Sequence, residues 1–136
     1  MKMRILVFDD DSTIRVMLRK TLELHGHEVR DYPDAISCPL YLKKECTCSK
    51  NHACGDIIIT DYNMPGLTGL EFIENQQQNE CRVQFYAVIS GFLTKPIVDH
   101  ARKLGCFVFK KPFNIRDMLT WLDDCERQIP PNRVLS

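Results

Sequence analysis

Short blocks rich in apolar residues alternate along this chain with stretches of helical periodicity. Four such blocks, at residues 4–8, 57–61, 84–89 and 106–109, and a more polar one at residues 27–32 have lengths that favour strands over helices. Between them, apolar residues recur at helical spacing, which predicts helices over residues 12–25, 34–42, 69–76, 96–105 and 115–129. Strands alternating with helices in this way are typical of a parallel sheet covered on both faces.

The regular alternation breaks once, at residues 43–55, which are polar and have neither period. We interpret this segment as a loop or insertion, and residues 130–136 as a short tail after Pro130 and Pro131. We expect a single domain over residues 1–136 with its core at about 3–127. Its predicted class is α/β, a flavodoxin-like doubly wound sheet of five parallel strands in the order 2-1-3-4-5 with five helices.

Charge and hydropathy change this picture little. Eighteen basic and eighteen acidic residues cancel, so bulk charge favours neither nucleic acid nor an anionic membrane. No apolar segment approaches the roughly 18 residues that a membrane span needs, and the first strand starts almost at the N-terminus. We expect a cytoplasmic protein whose seven cysteines are mostly reduced thiols.

Polar side chains follow four of the predicted strands at the point where each strand ends. Asp9 and Asp10 follow the first strand, Asp61 closes the third, Ser90 follows the fourth and Lys111 follows the fifth. Because the carboxyl ends of parallel strands meet at one edge of the sheet, the predicted strand order brings these groups together.

The chemistry of that edge is that of phosphoryl transfer to a carboxylate. Clustered carboxylates repel one another without a cation, and Mg²⁺ (or alternatively Mn²⁺) is the hard ion that such a sparse oxygen site favours. Asp61 is the candidate nucleophile, and the backbone carbonyl of Asn63 is a candidate metal ligand. Lys111 and the hydroxyl of Ser90 are placed to contact phosphoryl oxygens, with Gly91 leaving room.

These residues stand in motifs that can be compared with a known family. The motifs are Val7-Phe8-Asp9-Asp10, then Thr60-Asp61-Tyr62-Asn63-Met64-Pro65-Gly66 followed by Gly69, then Ser90, then Lys111-Pro112-Phe113. Over roughly residues 3–127 the chain resembles the receiver domain of two-component response regulators, of the stand-alone chemotaxis type.

The resemblance implies a signalling switch and not an enzyme with an output domain, for which no room is left after Pro130. A sensor histidine kinase, a histidine phosphotransfer protein or a small phosphodonor would pass a phosphoryl group to Asp61. The resemblance implies Mg²⁺ ligands at the acidic edge: Asp10, Asp61 and the Asn63 carbonyl, with Asp9 assisting through water. Movement of Ser90 would then signal to a downstream protein on the face of the fourth helix, fifth strand and fifth helix.

Two positions depart from the family pattern near the site. Val108 lies three residues before Lys111. At this position receivers commonly carry an aromatic side chain that forms part of the switch. Phe92, two residues after Ser90, places an apolar group where the family varies the access of water to the acyl phosphate.

The insertion carries a group of metal-ligating residue types at close spacing. Cys46, Cys48, His52 and Cys54 leave two alternatives to plain reduced thiols open, a Cys₃His zinc site and a thiol redox sensor, with Cys38 as a further ligand. Either would make the chain a metal or thiol sensor on a receiver scaffold.

A further alternative comes from the first acidic turn. Residues 9–13, Asp-Asp-Asp-Ser-Thr, also fit the Asp-x-Asp-x-Thr pattern of haloacid-dehalogenase-like phosphatases, in which Asp9 would be the nucleophile. Such enzymes usually have a longer chain and a second, late acidic motif, whereas Asp123 and Asp124 fall within a predicted helix.

Overall fold

The computed structural model of the protein describes residues 2–34, 52–78 and 81–135. Its strands are β1 (Arg4–Phe8), β2 (Glu28–Tyr32), β3 (His52–Ala53), β4 (Ile57–Asp61), β5 (Phe85–Ser90), β6 (Cys106–Lys110) and β7 (Val134–Leu135). Five of them form one parallel sheet in the order β2-β1-β4-β5-β6. Counted within that sheet, this is the predicted order 2-1-3-4-5, and the predicted fold class is confirmed.

Four helices lie in the described part of the chain: α1 (Ser12–Leu24), α2 (Gly69–Gln78), α3 (Lys95–Lys103) and α4 (Ile115–Gln128). The fifth predicted helix, at residues 34–42, falls almost wholly outside the described residues. Local chemistry sets the helix ends, since Asp11 and Asn114 accept backbone N–H bonds as N-caps of α1 and α4. Gly26 and Gly105, with φ of 88° and 75°, follow the ends of α1 and α3.

The sheet divides the apolar core into layers, because successive strand residues point to opposite faces. Ile5 and Val7 of β1 pack toward α1 and α4, whereas Leu6 and Phe8 pack toward α2. All five residues of β4 are buried, as expected for the central strand of a sheet with two covered faces. The last residue of this strand is therefore held firmly at the edge of the sheet.

The C-terminal tail packs at the amino end of β4, a contact that the sequence pattern does not indicate. Its strand β7 pairs in parallel with β3, a two-residue strand at the end of the predicted insertion. Arg133 makes a two-pronged ion pair with buried Asp56, with both N–O distances at 2.8 Å, and also donates to the Lys2 carbonyl. The tail is thus anchored to the start of β4 and to the N-terminus.

Within the described ranges, the structure has no helix whose length and hydropathy would let it span a bilayer.

Candidate functional site

The carboxyl ends of four neighbouring strands carry the polar groups that the sequence predicts there. Parallel pairing places Asp61 opposite Ile89 and Ser90 opposite Lys110. Backbone bonds continue the pairing past the strand ends, from Tyr62 N to the Ile89 carbonyl and from Lys111 N to the Ser90 carbonyl, both at 2.8 Å. The register of the sheet therefore fixes the backbones beneath these side chains.

Three carboxylates and one ammonium group meet at this edge. Asp9, Asp10 and Asp61 each offer an oxygen, and these oxygens lie within 4.8 Å of one another. Lys111 Nζ lies 3.1 Å from Asp61 Oδ1 and 3.6 Å from Asp9 Oδ2. Asp9 and Asp61 are buried and Asp10 is exposed, so the cluster is open to solvent at Asp10.

The carboxylate of Asp9 is only half satisfied. Its Oδ1 accepts the Asp11 backbone N–H at 2.8 Å, whereas its buried Oδ2 has no hydrogen-bond partner among the described residues. Burial, with the nearby charge of Asp61 adding to it, raises the pKa of Asp9 to about 6. A buried carboxylate oxygen without a donor, facing two other carboxylates, fits a hard divalent cation.

Asp61 and Lys111 perturb each other within the same cluster. Burial raises the pKa of Asp61 despite the opposing hydrogen bond from Lys111. Burial also acts to lower the pKa of Lys111, but its bond to Asp61 and the charges of Asp9 and Asp61 outweigh this, and the net shift is upward. Lys111 therefore stays protonated and supplies one positive charge beside the carboxylates.

The turn that carries the acidic pair is held by a residue that sequence reasoning missed. Arg15 on α1 donates from Nη1 to the Asp9 carbonyl at 2.8 Å and from Nε to Asp31 Oδ2 at 3.1 Å. The Asp9 N–H in turn donates to the Tyr32 carbonyl. Arg15 falls one turn into the helix after the acidic run, but nothing local in the sequence distinguishes it from the other arginines of the chain.

The loop after Asp61 returns close to the strand end through a glycine. Gly69 N donates to the Tyr62 carbonyl at 2.9 Å, and a Cβ atom at Gly69 would lie only 2.4 Å from the Asp61 carbonyl oxygen. The residue thus permits a backbone approach that a side chain would prevent. Asn63, the predicted carbonyl ligand, lies in the exposed part of this loop, and its role stays a prediction.

The hydroxyl of Ser90 is bonded within its own loop. Ser90 is fully buried, and its Oγ donates to the Phe92 carbonyl at 2.7 Å while accepting the Phe92 N–H at 3.1 Å. The Phe92 ring is 77% exposed. A Cβ at Gly91 would meet nothing within 4 Å, so the predicted free space is present. In this conformation Ser90 lies at the predicted place, with its hydroxyl committed to Phe92.

Val108 and the aromatic residues beside it lie on opposite faces of β6. Val108 packs with Leu70, Val88 and Ala101 on the side of α3. Phe107 and Phe109 instead contact Trp121 of α4, with ring centroids 5.7 and 5.8 Å apart. Trp121 thus packs against the apolar core between β6 and α4, and the position of the usual aromatic switch carries a small side chain.

Most of the predicted cysteine set falls outside the part of the chain that the structure describes. Cys46 and Cys48 lie outside the described residues, as does Cys38, and for His52 only its backbone, in β3, is described. Cys54 is buried, and its Sγ lies 3.8 Å from the Sγ of Cys81.

The first acidic turn does not have the arrangement that the phosphatase alternative needs. The side chain of Asp11, which would be the second acid of that pattern, accepts the backbone N–H groups of Thr13 and Ile14 as the N-cap of α1. Asp9 is almost fully buried. Asp11 therefore has a capping role, and no finding supports the phosphatase.

Comparisons with known proteins agree with this site. The family model "Response regulator receiver domain" matches residues 5–123. The C4-dicarboxylate transport transcriptional regulatory protein DctD of Pseudomonas aeruginosa is 26% identical over 133 residues, which cover 97% of this chain and 26% of DctD. The response regulator receiver protein CpdR of Brucella abortus is 25% identical, over 88% of this chain and 93% of its own length.

Solved structures show the same fold. The chemotaxis protein CheY4 of Vibrio cholerae superposes with a TM-score of 0.74 at 26% identity, covering 92% of this chain and 99% of CheY4. The chain spans about a quarter of the length of DctD but nearly all of CpdR and CheY4. The family match covers most of the chain, and the strand ends carry the motif residues in one cluster. This chain therefore belongs to the family of response regulator receiver domains.

Proposed function

We propose that Asp61 is the phosphoacceptor of a two-component phosphorelay and that its phosphorylation changes the binding of a partner protein. The observation that carries this proposal is the closeness of the Asp61 carboxylate both to two other carboxylates and to the ammonium group of Lys111. Such a carboxylate has metal-binding groups and a fixed cation within reach, as phosphoryl transfer requires. The donor would be the phosphohistidine of a sensor kinase or phosphotransfer protein in the cytoplasm, or a small phosphodonor.

Asp10, Asp61 and the Asn63 carbonyl would hold Mg²⁺, or Mn²⁺ in its place, with Asp9 assisting through water. The half-satisfied carboxylate of Asp9 supports this assignment, because a hydrated cation would supply the hydrogen bond that Oδ2 lacks, with Lys111 Nζ 3.6 Å away. When bound, the metal would neutralise charge on the phosphoryl oxygens. The exposed side of Asp10 gives the ion and the phosphodonor a route to the cluster.

Lys111 and Asp61 perform the remaining steps. The ion pair at 3.1 Å holds the Asp61 carboxylate in place as the nucleophile. As the phosphoryl group arrives, the ammonium group of Lys111 would leave the carboxylate oxygen for a phosphoryl oxygen, where negative charge accumulates. Burial raises the pKa of Asp61, and the hydrogen bond from Lys111 opposes that rise and so favours the ionised, nucleophilic carboxylate.

Ser90 would report the phosphorylation. Its Oγ must break the two bonds to Phe92 before it can contact a phosphoryl oxygen, so reorientation of this hydroxyl would move the loop that precedes α3. The neighbouring Val108 is smaller than an aromatic ring and packs against Ala101 of α3. We infer that the signal reaches β6 through displacement of α3 and not through rotation of an aromatic ring.

The partner surface would be the face formed by α3, β6 and α4, the fourth helix, fifth strand and fifth helix of the sequence prediction. A shallow groove of about 570 Å³ opens there. It is lined by Phe107, Val108, Phe109, Lys110, Pro112, Phe113, Asn114, Asp117 and Thr120. The ring of Phe107 is 47% exposed at its rim, which gives a downstream protein an apolar anchor.

The proposal is tested by labelling the chain with a small acyl phosphate in the presence of Mg²⁺. We expect one acid-stable, base-labile phosphoryl group, which is lost in Asp61→Asn and retained in Asp99→Asn, an exposed aspartate of α3. Labelling that persists in Asp61→Asn would refute the site. The switch is tested separately with a beryllofluoride mimic, which should shift the amide resonances of β6 and α4 in the wild-type chain and not in Asp61→Asn.

A further inference from the structure

Two cysteine sulfurs at the other end of the sheet lie in contact with each other. Cys54 Sγ and Cys81 Sγ are 3.8 Å apart, although the residues are separated by 27 positions in the chain. Cys54 lies just before β4, and Cys81 lies in the connection from α2 to β5. The pair therefore brackets the strand and helix that flank the phosphoacceptor, but lies at the amino end of β4, whereas Asp61 lies at its carboxyl end.

The fold holds the backbones of both cysteines in place. Arg4 Nη1 donates to the Cys54 carbonyl at 3.2 Å, and the Cys81 N–H donates to the Gln76 carbonyl at 2.9 Å. Both side chains pack against one apolar cluster, which includes Phe72 and Ile73 of α2. The contact between the sulfurs is therefore built by the sheet and by α2.

Exposure differs between the two thiols in a way that suits stepwise exchange. Cys81 is half-buried and can meet a small reagent, whereas Cys54 is only 5% exposed and lies behind it. Burial raises the pKa of Cys106 and of Cys125 to about 12, which keeps these two thiols protonated and inert.

We propose that Cys54 and Cys81 form a redox-active dithiol that closes to a disulfide by exchange with a low-molecular-weight disulfide such as oxidised glutathione. The Cys81 thiolate attacks one sulfur of the reagent, and the first small thiol leaves. The Cys54 thiolate then attacks Cys81 Sγ, the mixed bond breaks and the second small thiol leaves. The protein loses two protons and two electrons, and the reagent is reduced to two thiols.

The bridge would tie the start of β4 to the end of α2 without touching the acidic site. Closing a loop of about 30 residues restricts the unfolded chain, so the melting temperature should rise by roughly 5–15 °C on oxidation. The Mg²⁺-dependent labelling of Asp61 should continue. The inference goes beyond the proposed function and does not depend on it.

The test equilibrates the full chain in glutathione buffers of rising oxidised fraction, traps the thiols by alkylation and maps disulfides by peptide mass spectrometry. We expect a Cys54–Cys81 crosslink together with the rise in melting temperature. Cys81→Ser, a change at a half-buried position, should abolish both, and so should Cys54→Ser. Cys106→Ser is the matched control and should retain both.

Four outcomes would overturn the proposal. One is the absence of this crosslink in fully oxidised buffer. Another is pairing of Cys54 with a different cysteine, or a mixed disulfide at Cys81 that never resolves. The last is stoichiometric zinc in the purified chain that protects Cys54 and Cys81 from exchange. The crosslink and the melting temperature do not depend on phosphorylation of Asp61 and should be the same in Asp61→Asn. Failure of the disulfide proposal can therefore be distinguished from failure of the proposed phosphoacceptor function.

Discussion

Lys111 Nζ lies 3.1 Å from Asp61 Oδ1 and 3.6 Å from Asp9 Oδ2, within an acidic cluster that should also hold a divalent cation. Two positive charges that share one cluster compete for it. We therefore expect Lys111→Met to bind Mg²⁺ about 3–10-fold more tightly than the wild type while its phosphoryl labelling slows at least about tenfold. Isothermal titration and labelling kinetics measure the two effects.

Lys110→Met provides the matched control, since Lys110 is exposed and precedes the site residue by one position. It should leave both Mg²⁺ affinity and labelling unchanged. Weaker Mg²⁺ binding in Lys111→Met would contradict the competition between the two cations.

Protonation of Asp9 gives the site a pH dependence. Its pKa rises on folding from an ordinary value of 3.8 to about 6, so the folded chain binds the proton more tightly than the unfolded chain. This contribution stabilises the fold at low pH and is lost as the pH rises through about 6. Without metal at pH 8, Asp9→Asn should raise the free energy of unfolding by about 1–3 kcal/mol, measured by urea denaturation.

Mg²⁺ should reverse the order of stability of the wild type and Asp9→Asn. The ion competes with the proton on the acidic cluster, so its stabilising effect on the wild type should be larger at pH 8 than at pH 5. Asp9→Asn should show a smaller effect of Mg²⁺ at pH 8. Asp117→Asn, which removes an exposed carboxylate of α4, should behave as the wild type. Equal Mg²⁺ stabilisation at both pH values would exclude the titrating cluster.

A side chain added at Gly69 should clash with the backbone close to the phosphoacceptor. A Cβ at this position would lie 2.4 Å from the Asp61 carbonyl oxygen, a backbone atom at the end of the central strand that cannot shift cheaply. Gly69→Ala should destabilise the fold by about 2–4 kcal/mol and slow labelling of Asp61, measured by thermal denaturation and labelling kinetics.

Gly91→Ala is the corresponding control for stability, because a Cβ there meets open space. Its free energy of unfolding should stay within about 0.5 kcal/mol of the wild type. Equal stability of the two glycine variants would show that the loop after Asp61 relaxes without cost.

His27 predicts a second pH effect, of opposite sign to that of Asp9. The Met3 N–H donates to His27 Nδ1 at 3.2 Å, and burial lowers the pKa of this histidine, with the charges of His25 and the N-terminus adding to it and those of Glu126 and Asp123 opposing it. The folded chain therefore favours the neutral ring. This contribution is present above about pH 6.5 and is lost as the pH falls below it.

His27→Asn keeps an acceptor for the Met3 N–H and removes the titration. The melting temperature of the wild type, relative to that of His27→Asn, should therefore be lower at pH 5 than at pH 7.5. A difference that stays constant with pH would remove His27 from the account.

The strand ends could be predicted from the sequence because each is a local event. A short apolar run that stops at Asp9, Asp61 or Ser90 defines both the strand and its polar end, and the handedness of the connections then limits the strand order. This is why the site predicted from strand ends lies together at one edge of the structure.

Contacts over long sequence separations could not be predicted in this way. The pairing of Arg133 with Asp56 and the approach of Cys81 to Cys54 depend on the finished fold, and neither leaves a periodic signal. The orientation of the Ser90 hydroxyl could not be predicted either. A single side-chain torsion determines whether it bonds Phe92 or a phosphoryl oxygen. Strand patterns determine the place of Ser90 and leave its conformation undetermined.

The most direct test of the central claim identifies the residue that carries the phosphoryl group. Borohydride reduces an acyl phosphate to an alcohol, so reduction of the labelled chain should convert Asp61 to homoserine, which peptide mass spectrometry locates. We predict homoserine at position 61 only after incubation with phosphodonor and Mg²⁺. Homoserine at position 9 or 10, or none in a chain that has incorporated phosphate, would contradict the assignment of Asp61 as the phosphoacceptor.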